Sequence, residues 1–305
     1  MNVKKILITG SSGTIGTRLS ERLLNKNYEI AGADLKPNKW NDQINKLTVI
    51  GDLLDEKTFD KLPKDMDLVI HLAANARVYN LIKNPNLARE NFETLFNTLE
   101  FCRLNRINRF IFASSREVYG NLNQTTHSED HVSIRNCESP YTASKIGGES
   151  LIYAYNNCFG LNFITIRLSN VYGMYDDSDR IVPLFIKLTK ENKDLTVYGK
   201  EKMLDFTYID DAVSGLISCI ENFDKAKNDI FNIASGNGVN LVKLAKLIQN
   251  SLNAKNSIEI KENRKGEILK FVADISKARK ILNYNPEVDI NEGIRRTVNW
   301  CNKAV

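Results

Sequence analysis

The stretch Lys5-Ile6-Leu7-Ile8-Thr9-Gly10-Ser11-Ser12-Gly13-Thr14-Ile15-Gly16 decides how the chain folds. From Ile6 to Thr9 the residues are apolar or β-branched without alternation, as in a strand covered on both faces. Glycines follow at 10, 13 and 16, and a helical pattern over residues 15–25 begins among them. At this spacing Gly10 permits a tight turn, Gly13 lets the backbone approach a pyrophosphate, and Gly16 lets helix and strand pack closely. The helix N-terminus presents unpaired N–H groups and a partial positive charge, so Ser12, Thr14 and Ile15 join the glycines as a candidate binding set. A glycine triplet alone can be a structural turn; between a first strand and a first helix it reads as a dinucleotide loop.

Outward from this loop, residues 28–33, 47–50, 67–72, 109–113 and 162–167 share the unalternated hydrophobicity of buried strands. Helical patterns at 88–105 and 141–157 lie between them, the second stopped by Gly160. This repetition predicts an α/β protein, a Rossmann-type doubly wound parallel sheet with right-handed crossovers. After Tyr172-Gly173 the rhythm breaks into a mixed, charged stretch over 174–202. Strands are expected at 205–209, 229–234 and 269–273, and a helix at 239–252. The expected division makes 1–170 with 203–236 the dinucleotide-binding domain, and 171–202 with 237–305 a smaller discontinuous lobe.

The 305 residues are 42% hydrophobic and 26% charged, which excludes collagen-like, disordered and low-complexity chains. No apolar run approaches the roughly 18–20 residues that span a bilayer. The apolar stretch after Lys4-Lys5 is too short for a signal-peptide core, so a cytoplasmic chain with no membrane partner is expected. Cys102, Cys137, Cys158, Cys219 and Cys301 are odd in number and never in a CxxC, which argues against a disulfide framework. His71, His127 and His131 are too few and too badly spaced for a metal site, and no metal is expected. Of the net charge of +5, residues 237–305 hold 13 basic against 7 acidic side chains. Such a lobe could face an anionic ligand, although solvated surface lysines account for it equally well. It has no aromatic-interleaved basic stripe, so nucleic acid is not an expected partner.

Asp34 ends the second strand, 18 residues beyond Gly16. A carboxylate there accepts from ribose hydroxyls and repels a 2′-phosphate, favouring NAD over NADP, with Lys36 and Lys39 softening the repulsion. Asp52-Leu53 follows the third strand, where a carboxylate could take the adenine amino group. Leu72-Ala73-Ala74 follows His71 at the end of the fourth, where the alanines would let a cofactor lie close to the backbone. Either segment alone is ordinary strand-end structure. Tyr141 and Lys145, four residues apart, project from one helix face. A tyrosine with a pKa near 10 is a poor base at neutral pH. An ammonium and a nicotinamide cation nearby would stabilise the phenolate, one charge at about 4 Å contributing roughly 4 kcal/mol at an effective dielectric of about 20. Tyr141 could then remove a hydroxyl proton as hydride leaves the same carbon for NAD. Ser114 and Ser115 end the fifth strand and could hydrogen-bond the reacting oxygen, or simply cap a turn.

Together these segments resemble the extended short-chain dehydrogenase/reductase family, in its nucleotide-sugar epimerase/dehydratase branch. The resemblance runs through TGSSGTIG (9–16), GDLLD (51–55), HLAA (71–74), Asn91, SSREVYG (114–120), SPYTASK (139–145) and RLSNVYG (167–173). It continues through LDFTYIDD (204–211), FNIASG (231–236), RKGE (264–267) and NEGIRRTVNW (291–300). It implies a tightly held NAD, a catalytic set of Ser115, Tyr141 and Lys145, and a C-terminal lobe binding a nucleoside-diphosphate sugar. Asn170 and Arg264 match positions that contact the diphosphate. The resemblance also implies a homodimer formed through helices 88–105 and 141–157, with Leu151, Ile152 and Tyr155 as candidates for the shared face.

Two departures bear on the chemistry. The family often has Arg-Asp-Phe where this chain has Leu204-Asp205-Phe206, and Lys200 or Lys202 could stand in for the missing arginine. Ser115-Arg116-Glu117 resembles the Thr-x-Glu of family dehydratases and decarboxylases, whose glutamate is a base. Arg116 replaces the aspartate acid of one dehydratase class. Glu117 is therefore a candidate catalytic base or half of a structural ion pair. The leading expectation is NAD-dependent C4 epimerisation of a nucleoside-diphosphate hexose through a transient 4-keto intermediate. The alternative is a 4,6-dehydratase, or a related decarboxylase, using Glu117. A non-catalytic NAD-binding protein is the third reading.

Overall fold

The computed structural model describes residues 3–264 and 266–303. Lys265 of the RKGE segment, and Ala304 and Val305 at the end of the expected lobe, lie outside the described residues. The first half contains β1 (Lys5–Thr9), α1 (Thr14–Asn25), β2 (Glu29–Asp34), α2 (Asp42–Lys46), β3 (Thr48–Ile50), α3 (Glu56–Asp60), β4 (Leu68–His71), α4 (Val78–Lys83), α5 (Asn86–Leu104) and β5 (Arg109–Ser115). Next come β6 (Thr126–His127), α6 (Pro140–Phe159), β7 (Asn162–Leu168), β8 (Asn170–Tyr172), α7 (Ile181–Lys190), β9 (Leu195–Tyr198) and β10 (Met203–Tyr208). The chain continues through α8 (Ile209–Glu221), α9 (Phe223–Ala226), β11 (Asp229–Ile233), β12 (Gly238–Asn240) and α10 (Leu241–Ser251). It ends with β13 (Ile258–Lys261), β14 (Val272–Ala273), α11 (Ser276–Leu282) and α12 (Ile290–Lys303).

Seven parallel strands form the central sheet in the order β11-β7-β5-β4-β1-β2-β3. Successive residues of each strand face opposite sides. Ile6, Ile8, Ile70 and Ile111 therefore enter one apolar core, while Leu7, Val69, Phe110 and Phe112 enter the other. Two buried faces explain the missing alternation, and each fully buried side chain of this kind contributes roughly 1.5–3 kcal/mol. Helix boundaries follow local chemistry. Ser139 caps α6 with Pro140 in its first turn, and Gly160 ends it in the left-handed region at φ 69°.

Beyond Tyr172 the structure corrects several expectations. Residues 203–208 do form a strand, but β10 pairs with β8 and β12 in a separate three-stranded sheet; only β11 returns to the central one. The stretch read as mixed and charged contains α7, whose Val182, Phe185 and Ile186 are buried. The helix expected at 239–252 begins at Leu241, because the Asn240 side chain caps it and Val239 belongs to β12. Of the strand expected at 269–273 only β14 remains, paired with β6. The parallel pair β9–β13 was not foreseen from the sequence. All five cysteines are free. Among the described residues no helix is long and apolar enough to cross a membrane.

Candidate active site

Strand order reverses between β1 and β4, and the crevice at such a point is where ligands bind an open parallel sheet. Here it opens into a cleft of about 840 Å³. Gly10 has φ +74°, and a Cβ there would stand 2.8 Å from the Ala73 backbone nitrogen. At Gly16 a Cβ would lie 2.1 Å from the Gly10 carbonyl oxygen. Neither position admits a side chain, so loop, helix and the end of β4 close tightly. Gly13 caps α1 without a side chain, leaving first-turn N–H groups free to meet an anion. The Asp34 carboxylate accepts from the Ser12 and Lys36 amides at 2.9 and 3.0 Å, so it also braces the glycine loop. Ser12, Thr14, Ile15, Asp52, Leu53, Leu72, Ala73 and Ala74 line the same groove. The Ser12 hydroxyl is buried with no partner among the described residues. A side-chain-free cradle with an orphaned hydroxyl fits a dinucleotide. Asn91 fixes the turn beyond Ala74, accepting from the Asn75 amide at 2.7 Å and donating to its carbonyl at 3.0 Å.

Ser115 closes β5, and Tyr141 and Lys145 lie one turn apart near the start of α6; all three line the cleft. The Lys145 ammonium does not reach the phenol. It donates to the Ala113 carbonyl at 2.8 Å and sits 5.8 Å from the centre of the Tyr141 ring. Helical spacing put the two on one face, but the lysine stem runs past the ring to the strand. Burial pushes the Lys145 ammonium down to about 8, with Glu149 opposing. Burial also raises the Tyr141 phenol above its ordinary value, and the nearby Ser115 hydroxyl is the largest influence favouring the phenolate. The expected lowering of the phenol by its lysine neighbour is thus corrected: among the chain's own groups, Ser115 takes that part.

Behind these residues lies a buried network the sequence reading missed. Arg167 of β7 grips Glu149 of α6 through two bonds of 3.0 and 2.8 Å, and the Ser114 hydroxyl donates to the same carboxylate at 2.5 Å. The signal was present as charged residues within an apolar strand and a helix interior. His71 is buried against Thr9 and its imidazole pushed down to about 3, so it stays neutral. His127 packs between the Tyr119 and Phe271 rings.

On the lobe side, Asn170, Lys202 and Arg264 line the cleft, whereas exposed Lys200 lies outside it. Asn170 donates to the Asp205 carbonyl at 2.8 Å. Lys202 is held by Glu267 at 2.5 Å. Arg264 lies 3.8 Å above the Tyr198 ring, with Glu267 at 3.9 Å. Arg180, absent from the expected set, lines the cleft at the N-terminus of α7 and has no ion pair among the described residues. Recognising the helix start at Ile181 would have drawn attention to it. Glu117 lines the cleft, buried and paired with Arg116 at 2.8 Å. Among the described residues no cluster of His, Cys, Asp and Glu could hold a metal.

Comparison with known proteins identifies the family. Residues 6–234 match the NAD dependent epimerase/dehydratase family. A putative UDP-glucose 4-epimerase of Methanocaldococcus jannaschii is 32% identical over 97% of this chain and 97% of its own. A UDP-glucuronate 4-epimerase of Thermodesulfobacterium geofontis is 30% identical over 98% of this chain and 96% of its own. The crystal structure of a Bacillus cereus UDP-glucuronic acid 4-epimerase with UDP-glucuronic acid and NAD matches at a TM-score of 0.91 and 28% identity, covering 99% and 100% of the two chains. Sugar-nucleotide dehydratases are also among the relatives. With a cradle shaped for a dinucleotide and a tyrosine–lysine helix beside it, the chain belongs to the NAD dependent epimerase/dehydratase family, as an NAD-dependent enzyme of its nucleotide-sugar branch.

Proposed function

We propose that this enzyme inverts C4 of a UDP-hexose through a 4-keto sugar retained in the cleft. The observation that carries the reading is that Ser115, Tyr141 and Lys145 meet the glycine-loop groove in one continuous cleft. When bound, NAD supplies the hydride acceptor and, after the keto sugar turns, the hydride donor. Gly10, Gly13 and Gly16 would bring backbone to its pyrophosphate, Asp34 would take the ribose, and Asp52 the adenine. Tyr141 would remove the hydroxyl proton and return it, while Ser115 holds the same oxygen. Lys145, mostly protonated below its pKa of about 8, would meet the cofactor ribose. Arg180 and Arg264 are placed to take the diphosphate, Asn170 helping, with residues 171–202 and 237–305 as the substrate lobe. Lys202 contributes less, because Glu267 already neutralises it.

A second reading, 4,6-dehydration, rests on one observation: the Glu117 Oε2 atom is buried in the cleft wall and unpartnered among the described residues. Incubation with UDP-glucose and UDP-galactose separates the two. Epimerisation leaves the mass unchanged, whereas dehydration gives a 4-keto-6-deoxy product lighter by one water. Tyr141→Phe should lower turnover by about 10²–10⁴-fold with NAD still bound, the range for general acid–base catalysis. Unchanged turnover would remove Tyr141 as the base.

A cytoplasmic homodimer completes the proposal, but its face differs from the one first expected. Ile152 and Tyr155 are buried in the chain's own core. The exposed apolar residues of the two helices include Phe92 and Phe96 of α5, one turn apart, and Tyr153 of α6. Phe96→Glu should convert a dimer to a monomer by sedimentation; a wild-type monomer would end the idea.

A further inference from the structure

Arg116 and Glu117 open the short turn Arg116–Tyr119, directly after Ser115. Only 9% and 6% of them is exposed, yet both line the cleft. Their one ion-pair contact, Nη2 to Oε1 at 2.8 Å, leaves an atom on each side. Arg116 Nη1 and Glu117 Oε2 are buried with no hydrogen-bond partner among the described residues. Polar atoms are rarely left so, and two of them on adjacent residues of a cleft wall point to a partner that arrives with the ligand.

The chemistry of that partner follows from what the pair offers: one donor, one acceptor and no net charge. A hydroxyl both donates and accepts and can satisfy both atoms. A carboxylate only accepts, and would meet the Glu117 oxygen as a like charge. The remaining charges of the cleft agree. Lys39 is paired with Asp177, Arg77 with Asp179 and Lys202 with Glu267. Lys145 is turned to the Ala113 carbonyl. Lys36 follows Asp34 at the ribose end of the groove, and Arg180 and Arg264, the latter meeting Glu267 only at 3.9 Å, remain for the two charges of a diphosphate. With Arg180 and Arg264 taken by the diphosphate, no unpaired cation among the described residues is left for a third negative charge beside the phenol. The phenol itself feels Glu117 more strongly than Arg180 or Arg116.

We propose that the Arg116–Glu117 pair is a hydroxyl-recognising subsite that selects a neutral hexose over a hexuronate. The assignment rests on the nucleotide-sugar epimerase reading above and names the class of sugar it takes.

The experiment compares kcat/KM for UDP-galactose and UDP-glucose with that for UDP-galacturonate and UDP-glucuronate, using the NAD-loaded protein. The neutral sugars should be favoured by at least about tenfold, the scale of one unfavourable like-charge contact. Glu117→Gln frees the arginine charge and should narrow that ratio by about tenfold, mainly through the KM for the uronates. Arg116→Gln removes the positive charge beside Glu117 and should widen it. Thermal unfolding and bound NAD report whether each variant has kept its fold, and the wild-type ratio decides alone if neither has. Equal or better turnover of uronates by the wild type overturns the assignment, as does a folded Glu117→Gln variant with an unchanged ratio. Turnover of no nucleotide sugar would instead sink the epimerase reading itself.

Discussion

Two buried ion pairs lie close to helix α6, and they are built differently. Arg167 and Glu149 meet through two parallel contacts, Ser114 donates to the carboxylate, and the third guanidinium nitrogen donates to the Glu129 carbonyl at 2.6 Å. Arg116 and Glu117 meet through one contact and leave an atom each without a partner among the described residues. The first pair ties β5, α6 and β7 together inside the molecule. The second stands in the wall of the cleft. Fully satisfied buried charges act as framework, and partly satisfied ones mark where a ligand completes the set.

The sharpest way to break this contrast is to remove one arginine from each pair. Arg167→Met leaves the Glu149 charge uncompensated in the interior and should cost about 3–5 kcal/mol of stability. Arg116→Met breaks a single contact to Glu117, which is as buried as Glu149 but stands in the cleft wall, and should cost less, about 1–3 kcal/mol. Urea denaturation of both variants measures the difference. Equal losses would mean that the Arg116 pair is framework too.

The same contrast explains what could be read from the sequence. The central sheet was legible because both of its faces are buried, so each strand announces itself by unbroken apolar residues such as Ile6–Ile8 and Leu68–Ile70. The glycine loop was legible because steric exclusion at Gly10 and Gly16 leaves one residue type possible. Tyr141 and Lys145 declared themselves by helical spacing, but not what each touches: the reach of the lysine stem depends on where β5 ends. The lobe was obscure for another reason. Its strands are only two to six residues long, and its cleft residues, Arg180, Lys202 and Arg264, come from separate segments. Whether a lysine such as Lys202 is free or already neutralised by Glu267, 65 residues later, is decided by tertiary structure alone.

Lys145 supplies a prediction of intermediate size. Its ammonium is buried, with a folded pKa of about 8 against an ordinary value of 10.5. Below pH 8 the proton is bound in both states, and the folded protein bears the full cost of the buried charge. Between pH 8 and 10.5 the unfolded chain holds more protons, so this cost is relieved as pH rises. The wild-type stability relative to Lys145→Met should therefore increase by about 3 kcal/mol from pH 7.5 to 10.5. Taking the difference between the two proteins cancels the tyrosines that titrate in the same window. A flat difference would mean that the folded ammonium is better solvated than its burial implies, or is held more firmly by Glu149.

The smallest effect belongs at the surface, and it tests whether burial rather than pairing is what matters. Asp177 and Asp179, in the segment after β8, pair with Lys39 and Arg77 across the cleft mouth. Asp177 and Lys39 keep 57% and 56% of their side chains exposed, whereas Glu149 and Arg167 keep 9% and 3%. Water screens the first pair and each long side chain loses freedom by holding it, so Asp177→Asn should change stability by less than about 1 kcal/mol. Raising the salt from about 0.05 to 0.5 M, which shortens the Debye length severalfold, should erase even that difference. The cost of Arg167→Met should persist at both salt concentrations, because counterions do not reach a carboxylate enclosed by β5, α6 and β7. If salt reduced both effects alike, the Arg167–Glu149 pair would have to be opening to solvent, and its role as the fixed support behind Lys145 would fail.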